Sequence, residues 1–211
     1  MADATTARDE ILGRIRGALA EADVSEVHVP RGYRFRPARD DLVERFVERV
    51  EDYRAAVTRC APDDVAAVVA STIPSGVRVV LPEGLPFDVR GSVDTGFSAA
   101  ELDGFDAVVT TATVGIAETG TIVLTHGPGE GRRALSLVPD LHVCIVRTNQ
   151  VVPDVPDAVA LLDPTRPQTW VSGPSATSDI ELDRVEGVHG PRTLHVVLVA
   201  DLSGAHVAGA H

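Results

Sequence analysis

The sequence predicts an α/β layer structure with a mixed sheet, preceded by a helical first third. After Gly76 the chain becomes a series of short, almost wholly apolar β-branched runs, the composition of strands buried on both faces. Helical segments fall between several of these runs, the alternation of a layered α/β fold. A third observation makes the sheet mixed. From Ala117 to Thr121 the chain reads strand, Glu-Thr-Gly, strand, and Gly120 supplies the positive φ that a tight antiparallel turn needs.

In chain order, Thr5 to Ala22 places Ile11, Ile15, Ala18 and Leu19 at helical spacing, an amphipathic helix whose apolar stripe needs a partner. Asp23 to Arg39 carries Pro30, Gly32 and Pro37 among charged and aromatic residues and reads as a linker or a surface arm. A second helix starts near Asp40, whose carboxylate can cap free N–H groups, and runs through Leu42, Val43, Phe46, Val47, Val50 and Tyr53. A third follows Pro62, from Asp63 to Ser71. Strands are expected at Val77 to Leu81, Ala107 to Thr111, Thr121 to Thr125, Leu141 to Val146, Thr169 to Ser172 and Leu194 to Val199. Helical segments are expected at Ser98 to Leu102, Arg132 to Leu137 and Val155 to Leu162. The expected division is a helical extension over 1–72, a cap or an oligomerisation element as easily as core, and an α/β domain over 73–211 within one continuous fold.

Composition excludes several functions. With a formal charge of -12, the chain is poorly supplied to build the basic face that phosphate neutralisation needs, so nucleic acid is not an expected partner. All 19 basic residues are arginine, which rules out a Schiff-base lysine and a phosphate-loop lysine. Cys60 and Cys144 are far apart and form no C-x-x-C pair. They cannot cage a metal or an iron–sulfur cluster from this chain alone, so no metal site and no bound cofactor are expected. No run approaches the roughly 18 uncharged apolar residues of a membrane span, and Met1 to Arg8 has neither the apolar core nor the cleavage site of a leader. The expected location is the cytoplasm.

Four segments carry candidate chemistry. In Ile116 to Thr121, the lone carboxylate of Glu118 stands among apolar residues, a setting that disfavours its charged form and prepares a general acid, a base or a nucleophile; the alternative is a solvated turn residue. Thr119, Gly120 and Thr121 beside it are candidate ligand contacts. In Gly127 to Gly131, a glycine-rich loop runs into Arg132 and Arg133 at the start of a helical turn. Free N–H groups and two guanidinium groups there suit an anion, although the loop fits neither a phosphate loop nor G-x-G-x-x-G.

The densest segment follows the strand ending at Ser172. Gly173, Ser175, Thr177, Ser178, Asp179 and Glu181 offer hydroxyls and carboxylates that could hold a phosphate or carboxylate outside a strand end, or that could cap a local turn. In Gly187 to Pro191, His189 lies between glycines and before a proline, as a catalytic acid or base, or as a hydrogen-bonding tie of the turn. His142, His195, His206 and His211 are scattered and make a poor case for a metal site.

Together, the segments Ala117 to Thr121, Arg133 to His142, Gly173 to Glu181 and Gly187 to Pro191 closely resemble, in the family's order, the LUD-domain family of lactate utilization C proteins. The resemblance covers roughly Phe105 to Val199; the N-terminal helices match only in general character. It implies a three-layer α/β/α sandwich with a mixed, mostly parallel sheet, like that of the NagB, RpiA and CoA-transferase group. It also implies a place beside two iron–sulfur partner subunits that oxidise L-lactate to pyruvate. In that setting the chain is a non-redox accessory subunit, the clusters belong to its partners, and Arg132 or Arg133 with the loop from Ser175 to Asp179 binds a small carboxylate or phosphate.

Two other readings remain. One is a stand-alone transferase or ligase acting on a CoA, nucleotide or sugar-phosphate substrate, as relatives of the fold do, with Glu118 as nucleophile or base. The other is a ligand-binding module without catalysis. Self-association into a homo-oligomer stays open in each.

Overall fold

The structure is a computed structural model that describes residues 6–20, 22, 41–177, 185–187 and 189–201. The chain forms two compact units, 1–36 and 37–211. In the first, α1 (Ala7–Leu19) takes Thr6 as N-cap, with Asp9 and Glu10 in its first turn and Arg16 in its last, charges placed to suit the helix dipole. The linker expected over 23–39 and the cap at Asp40 lie outside the described residues.

The second unit runs α2 (Leu42–Asp52), β1 (Ala56–Cys60), α3 (Val65–Thr72), β2 (Val79–Leu81), β3 (Ser92–Val93), α4 (Ala99–Leu102), β4 (Ala107–Thr111), β5 (Val114–Ile116), β6 (Thr121–Leu124), β7 (Leu141–Arg147), β8 (Val151–Val152), α5 (Val155–Leu161), β9 (Thr169–Val171), β10 (Ala176–Thr177), β11 (Val185–Glu186) and β12 (Thr193–Val199). The main sheet is wholly parallel, in the order β1-β12-β7-β4-β2-β3. Its central strands pair from Thr193 with Leu141 to Val199 with Arg147.

Both faces of this sheet are covered, which is why its strands read as continuous apolar runs. On one face Val143, Ile145, Val197 and Val199 cluster with Val65 and Val69 of α3. On the other, Cys144, Val146, Leu194, Val196 and Leu198 meet Phe46 and Val50 of α2, together with Ile122 and Leu124 of a second sheet. That sheet has the order β8-β5-β6-β9, and its alternate residues Val114, Ile116 and Val123 are buried with Ala158 of α5. The layers are therefore helix, parallel sheet, helix plus small sheet, and helix.

The hairpin expected around Gly120 is present, with Val114 opposite Val123 and Ile116 opposite Thr121. Its antiparallel strands belong to the second sheet, which is itself mixed because β5 pairs in parallel with β8. The boundary expected at 72/73 is not where the compact units divide. β1 pairs in parallel with β12, from Ala56 with His195 to Cys60 with Val199, and this draws residues 37–72 into the larger unit. The helical turn expected from Arg132 is a short 3-10 turn, Arg133–Ser136.

One feature of the topology positions a site. Within this sheet the strand that follows β2 is β3 at the edge, whereas the strand that follows β4 is β7 at the centre. Connections departing in opposite directions from neighbouring carboxyl ends open a crevice, the usual place for a ligand in an open α/β sheet. Among the described residues, no helix is long and apolar enough to cross a membrane.

Candidate functional site

The glycine-rich loop 127–131 lies across the carboxyl ends of β2 and β4. The Thr111 N–H donates to the Gly129 carbonyl at 2.7 Å, and the Gly129 N–H donates to the Glu83 carbonyl at 2.8 Å. Gly129, at φ 78, has no room for a side chain, because a Cβ would come within 2.8 Å of Thr111 Oγ1. His126 fastens the loop. Its Nδ1 is 3.0 Å from the Gly131 carbonyl, which only accepts, so in the neutral ring Nδ1 carries the proton and Nε2 accepts from Thr169 Oγ1 at 2.9 Å. Buried Glu130 accepts from Thr113 Oγ1 and from the Thr125 N–H, each at 2.5 Å.

Arg132 closes the same region as a clamp. Its Nε and Nη2 donate to the two Asp94 oxygens at 2.7 and 3.1 Å, and Nη2 also donates to the Phe97 carbonyl. The Arg132 hydrogen bond, helped by N–H groups of Phe97 and Gly96, holds the Asp94 carboxyl below the usual carboxylate range. The two-point contact occupies the guanidinium face that an incoming anion would need. Arg133 next to it is exposed and makes no ion pair among the described residues.

A separate cleft of about 250 Å³ is lined by Ser136, His142, Ser172, Gly173, Ser175 and His189, among others. Ser175 organises it. Its Oγ accepts the His189 N–H at 3.0 Å, its own N–H donates to the Pro191 carbonyl at 2.9 Å, and its carbonyl accepts the Gly187 N–H at 2.9 Å. Ser172 Oγ is 2.7 Å from Thr121 Oγ1, which is 2.7 Å from Thr119 Oγ1, so a row of hydroxyls runs from the hairpin turn to the cleft. Beneath the cleft, His142 Nε2 is 2.8 Å from Thr110 Oγ1. Burial lowers this imidazole to about 4 and keeps it neutral at physiological pH.

The structure thus joins candidates that are distant in sequence: Gly173, Ser175 and His189 share one cleft, and Thr119 and Thr121 reach it through Ser172. Arg132 and Arg133 do not line that cleft, which only Ser136 and Leu137 reach from their turn. Arg132 instead faces the crevice beside the glycine-rich loop. Thr177 contributes backbone to β10, and Ser178, Asp179 and Glu181 lie outside the described residues. Glu118 is not an isolated carboxylate among apolar groups, because its Oε2 is 2.7 Å from Arg45 Nη2. Gly120 seats that turn on α2, where a Cβ would come within 2.6 Å of the Arg49 carbonyl carbon.

The residues that sequence reading missed are His126, Glu130, Ser172 and His142. For His142 a signal existed, namely a polar residue at an inward position between the apolar residues of a buried strand. Among the described residues, no group of three or more His, Cys, Asp or Glu side chains is placed to hold a metal.

Residues 99–199, from α4 through β12, match the sequence model of the LUD domain. Over 173 residues, covering 77% of this chain and 81% of the relative, the sequence is 45% identical to lactate utilization protein C of Deinococcus radiodurans. The chain belongs to the LUD-domain family. Lactate utilization protein C of Bacillus subtilis shares 35% identity over 101 residues, 44% of this chain and 42% of that relative. A crystal structure of a DUF162 family protein from Deinococcus radiodurans matches with a TM-score of 0.66 at 38% identity, covering 78% of this chain and 99% of that one. The LUD segment takes in the hairpin, the glycine-rich loop and the cleft around Ser175.

Proposed function

We propose that this LUD-domain chain serves lactate utilization as a non-redox subunit in the cytoplasm. In this reading, iron–sulfur partner subunits oxidise L-lactate to pyruvate, and this chain holds a small carboxylate or phosphate in the cleft of Ser172, Ser175 and His189. The names of its relatives support the pathway. The observation that carries the ligand reading is the convergence of two serine hydroxyls and an exposed histidine on one cleft. Hydroxyls and an imidazole N–H donate to anionic oxygens, while the Thr119 to Ser172 row fixes the orientation of the Ser172 hydroxyl.

The donor set supports placing the clusters in the partners. A cysteine-held cluster takes four thiolates, whereas this chain has two cysteines. Burial pushes the Cys144 thiol up to about 12 inside the sheet, and burial also raises Cys60. The transferase alternative uses Glu118 as nucleophile or base, and its contact with Arg45 favours an anchoring role instead.

Gentle affinity purification of the tagged chain from its own cells tests the proposal. Iron–sulfur subunits and lactate-dependent dye reduction should co-elute with it. A chain that elutes alone, iron-free and inactive on lactate would overturn the subunit role.

A further inference from the structure

Helix α1 lies outside the LUD segment and carries an apolar stripe. Ile11, Ile15 and Leu19 recur at four-residue spacing on one face, and they are 58%, 48% and 57% exposed. No residue of α1 is buried, and Leu12 alone is half-buried. A helix of 13 residues is marginal in water by itself, and Gly13 and Gly17 in its interior weaken it further. A surface laid against the stripe would supply the burial that this helix lacks.

The charges beside the stripe identify that surface. Asp9 and Arg16, two turns apart, border it on one flank, whereas Glu10 and Arg14 border it on the other. On each flank the acid stands toward the N-terminus and the arginine toward the C-terminus. A second copy laid parallel would bring acids level with acids and arginines level with arginines. Laid antiparallel, the same helix brings acids beside arginines on both flanks, because antiparallel helices set like flanks together. Arg8 then lies near the last turn of the other copy, whose free carbonyls favour a cation. The groups are available for such contacts. Arg16 makes no ion pair among the described residues, and Asp9 accepts from Thr6 Oγ1 with Oδ2 alone. Glu10 and Arg14 meet at 2.6 Å within the helix and stay largely exposed. Gly13 and Gly17 occupy the opposite face, where an added Cβ would meet nothing within 4 Å.

We propose that α1 is a self-association element, through which two copies of this chain pair with their stripes together and their helices antiparallel about a two-fold axis. The contact is isologous, each copy presenting the same face. Its 13 residues extend over only about 20 Å, short of a standard interface of roughly 800 Å² per partner, so pairing is weak and falls in the roughly micromolar range.

Sedimentation equilibrium on the purified full chain tests this, over a range from about 1 to about 300 μM around that affinity. The mean mass should climb with concentration from the 22.2 kDa of one chain toward twice that value. Ile15→Glu should weaken pairing by roughly tenfold or more, and because glutamate suits a helix at least as well as isoleucine, the loss reports the stripe and not unwinding. Gly13→Ala, on the opposite face, should leave pairing unchanged or tighter. Asp9→Arg and Arg16→Glu should each weaken it several-fold, and an equimolar mixture of the two variants should regain it. A mass that stays at one chain throughout would overturn the proposal and leave the stripe to a different protein. Full pairing in Ile15→Glu, weaker pairing in Gly13→Ala, or a mixture no better than either charge variant would overturn it too, as would tighter pairing from a single reversal, the mark of a parallel arrangement. Self-association is read on the isolated chain, so neither result bears on the proposed role in lactate utilization.

Discussion

The Nε2 of His142 and the Oγ1 of Thr110 lie 2.8 Å apart on neighbouring strands, inside an otherwise apolar layer. Thr110 Oγ1 is also 3.7 Å from Cys144 Sγ, whose sulfur is 3.9 Å from the Thr111 carbonyl. An ordered set of donors satisfies this row: imidazole N–H to hydroxyl, hydroxyl to sulfur, thiol to carbonyl. Thr110→Val keeps the shape but strands a buried ring nitrogen, at an expected cost of roughly 1–3 kcal/mol in urea unfolding.

The same pair sets a pH dependence. Burial lowers His142 to about 4, from an ordinary value of 6.5. The unfolded chain takes up a proton that the folded chain refuses, so this stability is fully present above about pH 6.5 and is lost as pH falls toward about 4. The shift corresponds to about 3 kcal/mol, and half-buried His195 is displaced in the same direction, also by burial. Unfolding free energies from urea titrations at about pH 7 and about pH 5 should differ by much of that amount, and His142→Gln should flatten the difference. An unchanged slope in the variant would assign the acid sensitivity to other groups.

The class of the fold was legible because local pattern carries it. β4 spans Ala107–Thr111, the run that its apolar, β-branched residues mark out. β1 was not legible, because this edge strand has no fully buried residue and carries Arg59 at its fourth position, so it lacks the continuous apolar run of its neighbours. For the site, single segments were readable and their partners were not. Ser172 and Thr121 are 51 positions apart, and Arg132 and Asp94 are 38 apart. Such pairings depend on strand order, which no local periodicity encodes.

Arg132 and Asp94 yield a second expectation. Asp94→Ala removes both carboxylate contacts, along with the acceptor for the N–H groups of Gly96 and Phe97. The loss should be roughly 1–3 kcal/mol. Because Asp94 is held below its ordinary range, its contribution is present above the unfolded value and fades as pH falls through the lower, folded one. Amide exchange at Gly129 and Gly131 should quicken in Asp94→Ala; unchanged exchange would show that the loop is held without the clamp.

Gly120 is constrained twice, by φ 61 and by the Arg49 carbonyl carbon and oxygen at 2.6 and 2.7 Å from any added Cβ. Gly120→Ala should therefore cost roughly 2–4 kcal/mol, combining left-handed strain with backbone overlap. Gly17→Ala in α1 is the contrasting case, with nothing within 4 Å of the new carbon and ordinary helical φ. It should raise helix content, measured by circular dichroism, because alanine favours a helix interior by about 1 kcal/mol over glycine. Similar losses at both positions would contradict the seating of the hairpin turn on α2.

Glu118 separates an anchoring role from a chemical one. Its carboxylate meets Arg45 in a partly shielded position beside the Gly120 turn, where the Arg45 Nε is itself buried without an acceptor among the described residues. Glu118→Gln keeps the size of the side chain and removes the charge that Arg45 faces, so unfolding should become easier by about 1 kcal/mol or more. Ligand affinity in the Ser175 cleft should stay near that of the parent, because Glu118 does not line it. A nucleophile would behave in the opposite way, with stability retained and turnover of an acyl-CoA or phosphorylated substrate abolished. Measuring both quantities on one variant distinguishes the roles, because a loss of turnover at unchanged stability could not come from anchoring alone.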